Sequence, residues 1–188
     1  MYFDTLTAAA MADELNGALA GGRVQEVLLV DALTLGMEVY AQHERRYLVL
    51  SAQPAQARVH LSAEKLRRGP ETPLPLLLLL RKHLRGGRLE RVTQPGFERI
   101  LRFEFAGLEG PLALYAEIMG RRSNLIAVDA EGMVLEAIKR VTPEQSRRPI
   151  LPRRPYEPPP PLRKASIASL TPSDLGALLA GGEGALWR

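Results

Sequence analysis

Leu84-Arg85-Gly86-Gly87-Arg88-Leu89-Glu90-Arg91-Val92 and Leu19-Ala20-Gly21-Gly22-Arg23-Val24-Gln25-Glu26-Val27 follow one plan. An apolar stretch of helical spacing ends at a Gly-Gly pair, an arginine follows, and an alternating, strand-like stretch begins. Glycine accepts the left-handed backbone that ends many helices, so each segment reads as a helix that stops and feeds a strand. Gly21 and Gly86 stand 65 positions apart. A unit repeated at that period predicts a pseudo-symmetric domain with its functional surface at or near the internal axis.

Working outward, Asp4 or Thr5 can cap a first helix from about Leu6 to Leu19, with Leu6, Met11, Leu15 and Leu19 at helical spacing. Arg23 to Val30 reads as a strand, Leu33 to Ala41 and Arg45 to Ala52 as a hairpin, and Arg58 to Leu61 as a short fourth strand. After Pro70, Pro73 and Pro75, a second helix runs from about Leu76 to Arg85. Arg88 to Thr93 is the next strand. Glu98 to Phe105 pairs with Leu112 to Ile118, and Asn124 to Asp129 with Met133 to Val141. Helix, strand, hairpin and strand thus occur twice in one order. The expected fold is α+β: a pseudo-duplicated, two-sheet antiparallel β-sandwich with flanking helices.

Beyond Val141 the composition changes. Pro143, Pro149, Pro152, Pro155 and Pro158 to Pro161, with arginines interleaved from Arg147 to Arg163, predict an extended, polyproline-like segment. A last helix is expected from about Pro172 to Leu179, capped by Thr171 and without a packing partner. The expected organisation is a domain over 1–145, an extended segment over 146–165, and over 166–188 the start of a further helical domain. The chain reads as a fragment of a longer protein.

The chain has 188 residues, 46% of them hydrophobic, which suits a domain with a sizeable core. It has no cysteine, which excludes disulfides and thiolate metal sites and fits a reducing compartment. His43, His60 and His83 are scattered and form no ligand set. No signal-peptide pattern opens the chain, and its longest apolar run, Leu76 to Leu80, is far too short to span a bilayer, so neither a membrane partner nor export is expected. Net charge is +4, with a pI of about 9.7. Only four of the 25 basic residues are lysine. Arginine forks phosphates and stacks on bases, which suits RNA; GC-rich codon usage explains the same excess equally well. No Gly-rich phosphate loop with lysine, metal-ligand spacing or activated nucleophile appears. The chain therefore reads as a binding module, not an enzyme, with no cofactor and no metal.

Several segments, in order, resemble the N-terminal domain of the NFACT family of ribosome-associated quality control proteins, long labelled fibronectin-binding protein A in bacteria. They are Phe3-Asp4-Thr5-Leu6, Ala57-Arg58-Val59-His60-Leu61, Leu80-Arg81-Lys82-His83-Leu84, Gln94-Pro95-Gly96-Phe97-Glu98-Arg99-Ile100, Glu117-Ile118-Met119-Gly120-Arg121-Arg122-Ser123-Asn124-Leu125 and Ala137-Ile138-Lys139-Arg140-Val141. The resemblance implies a domain similar to the N-terminal domain of Fpg-type DNA glycosylases. It implies a cytoplasmic factor that binds large ribosomal subunits blocked by peptidyl-tRNA. Such factors recruit charged tRNA and extend the stalled chain without a template, with alanine in bacteria.

The family's tRNA-associated acidic-Arg pair falls on Glu98-Arg99 and its early aspartate on Asp4, with Glu98 standing where Asp is usual. Arg99 can fork a phosphate or stack on a base, and Glu98 can orient it; an exposed cross-strand ion pair would look alike. Asp4 is equally an N-cap. In Gly120-Arg121-Arg122-Ser123-Asn124 the glycine permits a tight turn, and Arg, Ser and Asn offer donors to a phosphate backbone. Arg81, Lys82 and Arg85 suit RNA contact and the C-terminal helix dipole equally. His60 and His83 read as packing or hydrogen-bonding residues. A glycosylase role lacks its N-terminal Pro-Glu, since the chain begins Met1-Tyr2-Phe3. The rival expectations are a DNA-binding, glycosylase-like module and a surface adhesin.

Overall fold

The two Gly-Gly segments hydrogen-bond to each other. In the computed structural model, which describes residues 3–69, 74–160 and 171, the Gly21 N–H donates to the Leu89 carbonyl and the Gly86 N–H to the Val24 carbonyl, both at 2.8 Å. The Leu89 N–H donates to the Gly22 carbonyl and the Val24 N–H to the Gly87 carbonyl, both at 2.9 Å. Side chains repeat the pattern: Arg23 Nε donates to the Gly86 carbonyl at 3.2 Å, and Arg88 Nη1 to the Gly21 carbonyl at 3.4 Å. A shift of 65 residues exchanges the members of each pair. The segments are therefore related by a local pseudo-twofold axis. Gly21 and Gly86 take φ of +77° and +87°, the left-handed conformation that closes each helix.

Helix α1 (Thr5–Leu19) leads into strands β1 (Arg23–Asp31), β2 (Thr34–Ala41), β3 (Glu44–Ser51) and β4 (Arg58–Ser62). Helix α2 (Pro75–Leu84) leads into β5 (Arg88–Thr93), β6 (Ile100–Gly107), β7 (Gly110–Glu117), β8 (Asn124–Val128) and a short β9 (Val134–Ala137). The helix, strand, hairpin and strand expected twice are present twice. Pro75 opens α2 at a position whose N–H needs no partner.

The strands do not form two separate sheets. They make one antiparallel sheet in the order β4-β3-β2-β1-β5-β6-β7-β8-β9. Its two halves join through a single residue pair, Arg23 opposite Arg88. The expectation of two sheets misses this join because it is made by the Gly-Gly turns, not by a long strand ladder. The sheet also curls. Lys139 Nζ donates to the Ala52 carbonyl at 3.1 Å and the Arg121 carbonyl at 3.4 Å, so the β3–β4 and β7–β8 connections meet. One core lies inside, fed by Leu15 and Leu19 of α1, Leu76, Leu80 and Leu84 of α2, and inward residues of both half-sheets such as Leu35, Met37, Phe103 and Phe105. Each helix crosses over: α1 packs chiefly on β5, and α2 chiefly on β1.

Strand β9 ends earlier than its sequence suggests. Asn124 supplies the reason: its Nδ2 donates to the Lys139 carbonyl at 2.8 Å and its Oδ1 accepts from the Lys139 N–H at 3.0 Å. A side chain takes the place of the next ladder rung. The proline-rich stretch has no helix or ladder strand over residues 149–160, but it is not extended throughout: it turns at residues 152–154, where Arg153 takes φ of +64°, and residues 161–165 of the expected segment lie outside the described residues. The stretch is also docked. Residues 1–158 form one unit and 159–188 a second, so the first domain runs past the expected boundary at 145. Ile150, with Val141 and Tyr156, covers Ile126, Val128 and Val134. The Val134 N–H donates to the Arg154 carbonyl and the Arg153 N–H to the Val134 carbonyl, both at 2.8 Å, which closes the β9 edge. That covering explains why β8 is buried along its whole length. The expected helix over 172–179, and all but Thr171 of 166–188, lie outside the described residues.

Two glycine substitutions, one at the axis and one inside α1, have opposite expected signs. A Cβ on Gly87 would stand 2.7 Å from the Ala106 carbonyl oxygen, so G87A should destabilise by about 1–3 kcal/mol. A Cβ on Gly17, inside α1, meets nothing within 4 Å, so G17A should stabilise by about 0.5–1 kcal/mol. Urea denaturation of the two variants checks both. His60 sets a pH dependence. Burial, then the Arg58 charge, lowers its pKa from 6.5, and its buried Nδ1 has no hydrogen-bond partner among the described residues. The unfolded chain therefore takes up this proton first as pH falls, and stability is lost below about pH 6.5. H60Q should flatten the fall in melting temperature between about pH 7 and 5.

Candidate nucleic-acid interface

Three segments meet at the end of the β6–β7 hairpin remote from its turn. The first is the start of α1. Asp4 caps it, its Oδ1 accepting the Thr7 N–H at 2.7 Å, and that backbone hydrogen bond holds the exposed carboxyl below its usual range. The second is the β5–β6 connection. Gln94 Nε2 donates to the Thr5 carbonyl and to the Glu98 carbonyl, both at 2.8 Å. One amide thus ties the residue after Asp4 to the residue before Arg99. Gly96 and Phe97 both take positive φ, +61° and +52°, and Phe97 is 40% exposed. A bulky residue in that region is uncommon and marks a strained turn. It stops β6 short of the expected Glu98, so Glu98 and Arg99 lie just ahead of the strand.

The third segment is the β7–β8 connection. The Ile118 N–H donates to the Arg99 carbonyl at 2.8 Å, which sets Arg99 beside the turn that follows. Gly120, with φ of +59°, starts a single 3-10 turn, Gly120–Arg122. Arg121 and Arg122 are exposed and Arg99 is half-buried. Among the described residues none of the three arginines has a carboxylate in ion-pair reach. Ser123 and Asn124 do not join them. Both are buried, at 0% and 2% exposure. The Ser123 hydroxyl accepts the Met119 N–H at 2.7 Å, and Asn124 holds Lys139. They shape the turn from inside instead of facing a ligand.

The repeat makes this arrangement informative. The Ala52 N–H donates to the Leu33 carbonyl at 2.8 Å, just as Ile118 does to Arg99. Gln56 closes its turn on Gln53 at 3.1 Å as Arg122 does on Met119 at 3.2 Å. The first half thus carries Leu33, Ala55 and Gln56 where the second carries Arg99, Arg121 and Arg122. One backbone frame is used twice, and only the second copy bears cations.

The helix α2 residues lie elsewhere. Arg81 Nε donates to the Val27 carbonyl at 2.8 Å, and Lys82 pairs with Glu109 at 2.9 Å. His83 stands 3.3 Å from the same carboxylate. The Leu108 N–H donates to the His83 carbonyl at 2.9 Å, which places this end of α2 at the β6–β7 turn. The eight-residue hairpin strands, at about 3.4 Å per residue, separate it from Arg99 by roughly 25 Å. Arg81 and Lys82 are engaged in the fold, and Arg85 alone is exposed without an acidic partner among the described residues.

Beneath the turn lies a buried polar cluster that the sequence does not disclose. Glu117 is 1% exposed. Arg148 grips it with both Nη atoms, and the Tyr156 hydroxyl donates to it at 2.9 Å. Tyr156 stacks on Tyr115 with centroids 4.1 Å apart, and burial, with the neighbouring Glu117 charge, raises its hydroxyl pKa. The proline-rich strap is thereby fastened to the last residue of β7, three positions before Gly120. Removing one partner of a buried ion pair costs about 3–5 kcal/mol, so E117A should destabilise by that order in urea. It should also speed tryptic cleavage after Arg153. Unchanged cleavage would show that this pair does not hold the strap.

Comparison with known proteins bears on the family of the chain. Residues 4–185 match the family described as NFACT N-terminal and middle domains. The chain is 34% identical over 193 residues to the Rqc2 homolog RqcH of Bacillus subtilis, covering 99% of this chain and 34% of that protein. It is 29% identical over 144 residues to the human ribosome quality control complex subunit NEMF, covering 76% of this chain and 13% of that protein. It thus spans about a third of the length of the bacterial relative. Among solved structures, the N-terminal domain of the fibronectin-binding protein PavA from Streptococcus pneumoniae superposes with a TM-score of 0.85 at 28% identity, over 97% of this chain and 70% of that one. The N-terminal part of the fibronectin/fibrinogen-binding protein of Streptococcus suis does so at 0.85 and 31%, with the same coverage. A family match over residues 4–185, with 34% identity to RqcH over nearly the whole chain, places this chain in the NFACT family of RqcH and NEMF ribosome quality control factors.

Proposed function

We propose that this chain is the tRNA-holding module of a cytoplasmic ribosome quality control factor, and that it acts by binding and not by catalysis. The full-length protein engages large ribosomal subunits obstructed by peptidyl-tRNA and recruits charged tRNA for untemplated alanine tailing. The observation that carries the reading is the convergence of Asp4, Glu98-Arg99 and Gly120–Arg122 on one surface, with three arginines that lack ion-pair partners among the described residues. Unneutralised guanidinium groups on a preformed turn suit phosphate and base-edge contact. The exposed Phe97 ring supplies an adjacent apolar face on which a base can stack.

R99A should stay folded and leave binding to the large subunit intact, while tRNA recovery falls. A charge-assisted contact contributes about 1.5–3 kcal/mol, roughly a tenfold or greater loss of affinity. Pulldown of ribosomal subunits with the full-length protein, probed for rRNA and tRNA in parallel, reads both. Normal tRNA recovery and tailing in R99A would contradict the assignment. Joint loss of tRNA and subunit would make Arg99 a ribosome contact or a structural residue.

A second reading follows from the names of the two streptococcal neighbours, which are described as fibronectin-binding and fibronectin/fibrinogen-binding proteins. Immobilised fibronectin tested against this chain separates the two. Competition by tRNA but not by duplex DNA separates RNA binding from a glycosylase-like module.

A further inference from the structure

A row of directly paired residues crosses the sheet at the pseudo-twofold axis. Arg45 lies opposite Tyr40, Tyr40 opposite Arg23, Arg23 opposite Arg88, Arg88 opposite Ala106, and Ala106 opposite Pro111. Directly paired residues project from the same face. All six are exposed, so the row is a continuous strip of surface. From Arg45 to Arg88 it spans three strand spacings, about 14 Å.

Two like charges directly opposite each other are unfavourable in a sheet unless something offsets them. Among the described residues neither Arg23 nor Arg88 has a carboxylate in ion-pair reach, whereas Arg45 at the end of the row pairs with Glu38 at 3.2 Å, and Arg46, Arg68, Arg91 and Arg140 each meet a carboxylate as well. Each axial guanidinium gives one hydrogen bond to a helix-end carbonyl. A guanidinium has five N–H donors, so most remain available. Arg85, exposed at the end of α2, adds a third cation close by. Tyr40 is 45% exposed between Arg23 and Arg45. Closing the helix ends accounts for one donor on each arginine. It accounts neither for the missing counter-charge nor for an exposed aromatic set in the row. The pseudo-equivalents of Tyr40 and Arg45 are Ala106 and Pro111, so the second half offers low, uncharged ground beside Arg88.

We propose that this row is a second RNA contact, in which phosphodiester groups of a single-stranded segment bridge Arg23 and Arg88 and a base stacks on Tyr40. It rests on the nucleic-acid reading above but not on the Arg99 surface. Six residues of β6 separate Ala106 from Ile100, about 20 Å.

The test uses this chain with a fluorescein-labelled oligouridylate of about 12 nucleotides and anisotropy over a range of KCl. The double variant R23Q/R88Q should bind about tenfold more weakly. Its salt slope should fall by about 1.4, since each phosphate lost removes about 0.7 for a single strand. Y40L should weaken binding about fivefold or more with an unchanged slope. R99A is read against tRNA in the ribosome pulldown and R23Q/R88Q against oligouridylate, which keeps failure of this row distinct from failure of the Arg99 surface. An unchanged slope in R23Q/R88Q, or no binding by the parent chain, overturns the proposal. Should the double variant not fold by circular dichroism, photo-crosslinking of the parent chain to 4-thiouridine RNA decides. Adducts on residues 38–45 support the row, and adducts confined to residues 94–99 and 119–122 overturn it.

Discussion

The reciprocal hydrogen bonds between the Gly21-Gly22 and Gly86-Gly87 turns are the constraint on which the rest of the domain depends. They join two half-sheets through one residue pair and fix where each helix leaves the sheet. A Cβ on Gly22 would stand 2.7 Å from Val39 Cγ1, and one on Gly87 would stand 2.7 Å from the Ala106 carbonyl oxygen. Only glycine allows so close an approach at both places. Because α1 lies mainly on β5 and α2 mainly on β1, neither half encloses its core alone. The exchange makes a single cooperative unit from two copies of a marginal one.

The proposed function attaches to the departures from symmetry. The frame supplies two equivalent connections, β3–β4 and β7–β8, and Lys139 draws them together through the Ala52 and Arg121 carbonyls. Only the second carries Arg99, Arg121 and Arg122, and only the second is underpinned by the buried Glu117–Arg148 pair. The strap that delivers Arg148 also seals the β9 edge, which would otherwise offer free backbone groups to another chain. Rigid support beneath and unneutralised charge above are what a preorganised polyanion contact needs. Strain at Phe97 falls at the same place, where Gln94 pins the turn on both sides.

Much of the fold was legible in the sequence because its signals are local. Gly-Gly after an apolar helix, alternation within strands, and turn residues between them give the repeated order of elements. The join between the halves was not legible, since one residue pair between segments 65 positions apart leaves no periodic trace. Composition marked the proline-rich stretch as extended but could not show it docked, because the anchor is an ion pair 31 positions long in sequence. At the site, Asp4, Glu98 and Arg99 could be singled out, whereas Ser123 and Asn124 misled. Hydroxyl and amide groups that hold a turn from inside read the same as groups that face a ligand, and only burial separates them. Gln94 went unnoticed as a polar residue ahead of Pro-Gly, though it links the two segments that matter most.

The central claim is that three segments distant in sequence form one tRNA-binding surface. Hydrogen–deuterium exchange of the full-length protein, with and without tRNA, addresses it most directly. The account predicts that tRNA slows exchange together in residues 4–8, 96–99 and 119–123, with one shared dependence on tRNA concentration. Protection that left all three unchanged, or that reached one of them without the others, would contradict it.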